Sequence, residues 1–163
     1  MKKTLTSLLL ATALVATPAL AGDKLLLKTP VAFSTALPGL GTPIPRVAKE
    51  VELMSGKTLR MKVYEPGKLV APFEILEAVS SGKINSGYTT AGYWAGKIPA
   101  APLFSAVPFG PEAGEYMAWL YYGNGMDLYQ RMYDEAGYNV KVLPCAVLAP
   151  ETSGWFAKEI TSP

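Results

Sequence analysis

Apolar and polar positions in the first part of the chain follow the spacing of a strand, a loop and a helix. An apolar run flanked by lysines, Lys24–Lys28, predicts a strand that is buried on both faces and stopped by Pro30. The following stretch, Val31–Pro45, is rich in Gly, Pro and Ser/Thr, which is typical of a loop. Thr42 is placed to cap a helix whose apolar residues recur at helical spacing up to Gly56.

A second strand, a second helix and a third strand are predicted next. Leu59–Tyr64 alternates apolar and polar side chains with the two-residue period of a strand. Pro72 suits the first position of a helix that ends at Ser80–Gly82, and Ile84–Thr89 predicts the third strand. This alternation of strands and helices favours an α/β fold with a mostly parallel sheet flanked by helices.

The pattern changes in the second half of the chain. Proline and aromatic residues crowd Tyr93–Gly110, which predicts a long ordered connection and no long helix. Helices are predicted over Pro111–Tyr122 and Met126–Ala136. Val140–Leu148 predicts a strand, and Pro144 inside it indicates an edge position or a bulge.

Both ends of the sequence carry signals of their own. Two lysines near the start precede the apolar run Leu8–Ala16 and a small-residue cleavage site that ends at Ala21, the order of a secretory signal peptide. Because the run is too short to cross a bilayer, we expect residues 1–21 to be removed and the mature protein to work in a bacterial periplasm. The last residues, Ile160–Pro163, match a helix start, so we expect the chain to be truncated.

Composition removes several classes of chemistry. Without Lys2 and Lys3 the basic residues equal the 13 acidic ones, so nothing in the charge indicates a nucleic acid partner. The sequence has no histidine and one cysteine, which excludes Ser-His-Asp and Cys-His catalysis, histidine-ligated zinc and an internal disulfide. Cys145 lies in an apolar stretch and is expected to be buried and inert.

Seven short segments are spread over nearly the whole mature chain: Leu37–Leu40, Leu53–Gly56, Tyr64–Leu69, Ile75–Ile84, Gly92–Trp94, Phe104–Gly110 and Pro150–Phe156. In this order they resemble the solute-binding proteins of tripartite ATP-independent periplasmic (TRAP) transporters. Within that family they are most similar to the branch of receptors for 2-oxo and hydroxy acids. No single segment is specific, and the resemblance rests on the ordered set.

The resemblance implies a two-lobed α/β fold that closes on a ligand without catalysing a reaction. Residues 22–138 would form the first lobe, and residues 139–163 would form a crossover strand and the start of the second lobe. The implied ligand is a small organic acid, a 2-oxo or 2-hydroxy monocarboxylate, and the implied partners are the permease subunits of a TRAP transporter. An arginine that clamps the ligand carboxylate would follow Pro163. The resemblance leaves homodimerisation open.

Four candidate site residues follow predicted strands. Phe33 and Thr35 lie in the loop after the first strand, and Tyr93 and Trp94 follow the third. Ligands of open α/β folds bind at the carboxyl ends of the strands, where these residues are expected to meet. Aromatic side chains there would shield a small acid from water, and the Tyr93 phenol would donate a hydrogen bond.

The resemblance adds a cation to this site. Glu151 would help to bind sodium or calcium, and the cation would in turn hold the ligand carboxylate, because two anions sharing a site need a positive charge between them. Trp155 would form a neighbouring wall. The resemblance implies no other cofactor.

Two other interpretations stay open at this point. A secreted hydrolase without histidine would depend on carboxylates alone, and Glu65, Glu74, Glu77 and Glu151 near strand ends form no paired motif. A nonfunctional fragment of a receptor is the other, since half of a two-lobed fold leaves its cleft face exposed.

Overall fold

Two parallel strands form the sheet of this protein, whose computed structural model describes residues 24–148, 157–159 and 161. Strand β1 (Leu25–Pro30) pairs with β2 (Leu59–Tyr64), with Leu25 opposite Leu59 and Pro30 opposite Tyr64. Both strands were predicted, and β1 continues to Pro30. The predicted signal peptide lies outside the described residues.

The third predicted strand, residues 84–89, meets the chain just after β1 in one isolated parallel bridge, between Val31 and Tyr88. The backbone N–H of Tyr88 donates to the carbonyl of Pro30 at 3.0 Å, and the N–H of Ala32 donates to the carbonyl of Tyr88 at 2.9 Å. The prediction of a strand is therefore wrong, although its carboxyl end lies beside β1 as a parallel neighbour would.

A side-chain amide replaces the missing part of that ladder. The N–H of Lys28 donates to Asn85 Oδ1 at 2.8 Å, and Asn85 Nδ2 donates to the carbonyl of Leu26 at 2.9 Å. Because a primary amide carries both a donor and an acceptor, it satisfies β1 where a third strand would have done so.

Within the described residues, four α-helices and three short 3-10 helices accompany the sheet. The α-helices are α1 (Pro43–Met54), α2 (Ile75–Ser80), α3 (Ala113–Tyr122) and α4 (Gly125–Glu135). The 3-10 helices are Pro72–Glu74, Ala91–Trp94 and Ala101–Phe104. Thr42 occupies the N-cap of α1 without a capping bond, and its hydroxyl instead accepts from the N–H of Gly39. Among the described residues, no helix has the length and apolarity needed to span a membrane.

Helices cover both faces of the sheet. Val31 and Ala32 directly follow β1 and are consecutive, so their side chains point to opposite faces. Val31 packs in a cluster with Ile44 of α1, whereas Ala32 belongs to a larger cluster that includes Ile75 of α2 and Met132 of α4. The predicted α/β fold with a parallel sheet between helices is confirmed.

The amino-terminal half of β1 is not buried on both faces, contrary to the prediction from its apolar run. Leu25 is 50% exposed and Leu26 is 38% exposed, whereas Thr29 and Val31 are fully buried. The packed clusters around Val31 and Ile44 lie towards the carboxyl end of the strand, and burial rises along β1 in that direction.

The predicted strand over residues 140–148 is an extended segment without a strand partner among the described residues. Another side-chain amide holds its start, because Gln130 Nε2 donates to the carbonyl of Val140 at 2.7 Å. Gln130 Oε1 accepts from the N–H of Val142 at 3.2 Å. Helix α4 therefore supplies the hydrogen bonds that a neighbouring strand would have supplied.

Candidate functional site

The carboxyl ends of the parallel segments meet at one edge of the sheet. The pairing of Pro30 with Tyr64 brings the chain out of β1 and β2 at the same level, and the bridge at Tyr88 adds the third segment there. Candidate residues Phe33, Thr35 and Tyr93 all lie on segments that leave this edge. This is the position at which open α/β folds bind ligands.

Three aromatic rings from different segments form a surface at this edge, which we call the aromatic edge (Phe33, Phe73 and Tyr93). The ring centroids of Phe33 and Tyr93 are 5.6 Å apart, and those of Phe73 and Tyr93 are 4.7 Å apart. Phe33 and Tyr93 are half-buried against the core, whereas Phe73 is 61% exposed. Such a surface can cover the apolar part of a small ligand and offer it the Tyr93 phenol.

Phe73 is not among the site residues that the sequence predicts. It lies in the 3-10 helix Pro72–Glu74 that precedes α2, and there its ring turns to Tyr93 instead of the core. The helical pattern could not reveal this, because the first turn is not α-helical.

Thr35 is bound to Glu65, the first residue after β2. The N–H of Thr35 donates to Glu65 Oε2 at 3.2 Å, and its hydroxyl donates to Glu65 Oε1. Both residues are half-buried. The loop after β1 is thus tied to the loop after β2 next to the aromatic edge.

Trp94 lies in the hydrophobic core and not on the aromatic edge. Its side chain is 1% exposed, and its ring meets Tyr93 edge-on with centroids 6.4 Å apart. The two neighbours differ because the 3-10 turn Ala91–Trp94 directs one ring to the surface and the next one inward. The prediction that Trp94 lines a cleft therefore does not fit its position in this structure.

A pair of hydroxyl groups lies beside the aromatic edge and was not expected from the sequence. The oxygens of Thr90 and Ser105 are 2.7 Å apart, and the N–H of Tyr93 donates to the carbonyl of Thr90. Gly92 makes room for this pair, since a Cβ at that position would lie 2.9 Å from Ser105 Oγ. The two hydroxyl-bearing residues are 15 positions apart, and no local motif connects them.

The predicted cation ligand Glu151 and the neighbouring Trp155 lie outside the described residues. Within the part of the chain that is described, no group of three or more Cys, Asp or Glu side chains could hold a metal ion. The cation site therefore stays a prediction.

A groove of about 610 Å³ lies between α1 and the extended segment and is separate from the aromatic edge. Arg46, Val51 and Cys145 are among its lining residues, and none of the candidate site residues that the structure describes is. Cys145 is exposed, so the prediction of a buried thiol is wrong; among residues 24–148 no strand covers this segment. Desolvation by its surroundings still raises the pKa of the thiol.

Comparisons with known proteins identify the family and the relatives of this chain. The profile of the family described as bacterial extracellular solute-binding protein, family 7, matches residues 41–148. A monocarboxylate 2-oxoacid-binding periplasmic protein of Nostoc sp. strain PCC 7120 is 37% identical over 116 residues, which are 71% of this chain and 31% of the relative.

Two solved structures of TRAP periplasmic solute-binding proteins share the fold. The protein from Pseudoalteromonas atlantica T6c, with bound sodium and pyruvate, is 32% identical with a TM-score of 0.66, over 71% of this chain and 35% of that one. The protein from Colwellia psychrerythraea, with bound calcium and pyruvate, is 33% identical with a TM-score of 0.66 over the same shares. This chain spans about a third of the length of these relatives. Since the family profile covers well over half of the sequence, the chain belongs to the bacterial extracellular solute-binding proteins of family 7.

Proposed function

We propose that this chain supplies the first lobe of a periplasmic receptor for a small organic acid, a 2-oxo or 2-hydroxy monocarboxylate. The observation that carries the proposal is the aromatic edge, which gathers Phe33, Phe73 and Tyr93 at the carboxyl ends of the parallel segments. In this proposal residues 22–138 form the lobe, and residues 139–163 cross to a second lobe. Closure of the two lobes buries the ligand against the aromatic edge.

The proposed ligand is a short acid because the relatives and the surface chemistry agree. The Nostoc relative is named for 2-oxoacid monocarboxylates, and the Pseudoalteromonas and Colwellia proteins hold pyruvate. Half-buried rings such as Phe33 and Tyr93 suit the small apolar end of such an acid. Thr35 lies at the same edge and belongs to the proposed site.

We further propose that a sodium or calcium ion bridges the ligand carboxylate, with Glu151 as one of its ligands and Trp155 beside it. Sodium accompanies pyruvate in one relative and calcium accompanies it in the other. Carboxylate oxygens are suitable ligands for such hard cations.

Binding is favoured over the hydrolase alternative. The family and the relatives are solute-binding proteins. Among the described residues, Glu65 is engaged by Thr35 and Glu77 is paired with Lys97, so neither is a free member of a catalytic carboxylate pair.

The receptor is proposed to deliver its ligand to TRAP-type permease subunits from the periplasm. The names of the relatives support the compartment and the transporter type. Homodimerisation is left open in this proposal.

A hybrid protein tests the proposed function. Residues 24–148 replace the corresponding segment of the Pseudoalteromonas protein, and the melting temperature is measured with pyruvate, with and without sodium or calcium. We expect a ligand-dependent rise that is larger with the cation, since ligand at 100 times Kd stabilises a protein by about 2.7 kcal/mol. We expect the 163-residue chain alone to bind more weakly, because it supplies about a third of the length of the relatives.

Variants of the hybrid assign the effect to this chain. Phe33→Ala and Tyr93→Ala should each lower the affinity for pyruvate by about tenfold or more, as the loss of a buried aromatic contact requires. Tyr122→Ala is the control, because Tyr122 is 93% exposed and lies outside the aromatic edge. The absence of any shift with a panel of 2-oxo and 2-hydroxy acids would refute the proposal.

A further inference from the structure

The loop between β1 and α1 presents Phe33 and Thr35 without a helix or strand of its own. The backbone fixes its start, where the N–H of Ala32 donates to the carbonyl of Tyr88. Near its end, the Tyr88 phenol donates to the carbonyl of Leu40 at 2.8 Å. The position of the residues between these two points depends on what holds the middle of the loop.

We propose that Glu65 is a positioning residue that holds this loop through Thr35, and that Thr35 acts by binding Glu65 instead of donating to the ligand. The expected effect on ligand binding rests on the proposed function, whereas the hydrogen bonds between Glu65 and Thr35 do not depend on it. Glu65 accepts both donors of Thr35, the N–H at 3.2 Å and the hydroxyl. Two bonds from one carboxylate fix the direction of the loop as well as its distance from β2.

The donor count decides the role of Thr35. A threonine hydroxyl has a single proton to donate, and in this structure that proton is directed to Glu65. An ionised carboxylate ligand only accepts hydrogen bonds. While the Glu65 bond is made, Thr35 therefore has no side-chain donor for such a ligand.

The residue that the loop presents is Phe33. It lies two positions before Thr35, and its ring is 5.6 Å from that of Tyr93 and 6.5 Å from that of Tyr88. A shift of the loop at Thr35 would separate Phe33 from Tyr93 and open the aromatic edge. Glu65 thus acts on the ligand through the position of Phe33.

Amide hydrogen exchange of the full 163-residue chain tests this without any ligand. In Glu65→Ala and Thr35→Val, we expect residues 33–41 to exchange about tenfold faster, while α4 keeps its protection. Glu65→Gln should restore protection, because its carbonyl accepts from the Thr35 N–H and its amide can donate to the Thr35 hydroxyl. Glu50→Ala on the exposed side of α1 is the matched control and should change nothing.

The exchange result alone decides the positioning role. Unchanged exchange of residues 33–41 in Glu65→Ala would overturn it, and so would equal acceleration across the whole molecule, which indicates general destabilisation.

Pyruvate with sodium is the probe for the second part of the proposal, in the full chain and in the hybrid. Glu65→Ala should lower the affinity for pyruvate by about tenfold, because the loop loses the acceptor that holds Thr35. Glu65→Gln should restore this affinity, since its side chain can still bond to Thr35 and hold the loop in place. Weaker binding by Thr35→Val with normal exchange of the loop would show direct donation to the ligand and overturn the assigned role. If the unmodified proteins bind no acid, the proposed function fails while the exchange result still decides whether Glu65 holds the loop.

Discussion

Two side-chain amides make hydrogen bonds that backbone groups make in a continuous sheet. Asn85 bonds to the backbone of Lys28 and Leu26 in β1, and Gln130 bonds to the backbone of Val140 and Val142. Each amide matches the donor and acceptor spacing of a peptide group. Segments that lie beside one another without continuous pairing are thereby held in register.

Removal of the Asn85 amide should weaken the attachment of residues 84–89 to β1. Asn85→Ala deletes two hydrogen bonds and is expected to cost about 1–3 kcal/mol of unfolding free energy. Asn124→Ala is the control, since Asn124 makes no capping bond with its side chain and its loss should cost less than about 0.5 kcal/mol. Urea unfolding monitored by circular dichroism measures both, and equal midpoints would contradict the role of Asn85.

Sequence position was enough to bring Phe33, Thr35 and Tyr93 to the same edge of the sheet, because each follows a segment of the parallel set. It was not enough to separate Tyr93 from Trp94, because a single 3-10 turn decides which ring points inward. The bond between Thr35 and Glu65 joins residues 30 positions apart, and no periodicity encodes such a pair.

The loop between β1 and α1 turns back closely on itself. Gly41 is buried, and a Cβ built at this position would lie 1.7 Å from the carbonyl oxygen of Ser34. The N–H of Leu37 donates to the same carbonyl, which fixes the oxygen in place. Any side chain at position 41 must displace the loop that carries Phe33.

Gly41→Ala should therefore destabilise the protein by about 1–3 kcal/mol, the usual cost of forcing an extra carbon into a packed site. Gly114→Ala is the control, since a Cβ there meets nothing within 4 Å and the helix α3 should gain stability of about 0.5–1 kcal/mol. Thermal unfolding of both variants checks the difference, and a neutral Gly41→Ala would show that the loop yields without cost.

Local patterns predicted β1, β2 and α1, whose periodicity lies within each segment. They failed for residues 84–89 and 140–148, where a strand also needs a neighbour along its length. In the first segment the side-chain amide of its own Asn85 bonds to β1, and in the second the amide of Gln130 in α4 takes the neighbour's place. A β-strand forms only when a second segment pairs with it, and the hydrophobic pattern of one segment does not specify that partner.

Buried and half-buried tyrosines are distributed through the part of the chain that the structure describes. Burial raises the pKa of Tyr88, Tyr116, Tyr129 and Tyr133 above the usual value of 10.0. In the unfolded chain these phenols lose their protons first, so the folded state binds more protons above about pH 10. Their contribution to stability is therefore complete below about pH 10 and is lost as the pH rises further.

Stability should be nearly independent of these phenols from pH 7 to about pH 9 and should fall above about pH 10. Tyr129→Phe should make the decline shallower, since the ring keeps its stacking on Phe104 at 4.5 Å while the titrating group is removed. Tyr122→Phe, at a 93% exposed position, is the control and should leave the decline unchanged. Urea midpoints measured across this pH range test the predicted fall in stability. A rise in stability with pH would contradict it.

The amide of Asn85 also makes the sheet sensitive to slow deamidation. Asparagine is among the thermolabile residues, and this one is exposed and followed by Ser86. Hydrolysis to a carboxylate would keep the acceptor for Lys28 but remove the donor for Leu26. Molecules in which Asn85 has been hydrolysed would then keep one of its two hydrogen bonds to β1 and lose the other. They would also carry an added negative charge at that edge of the sheet.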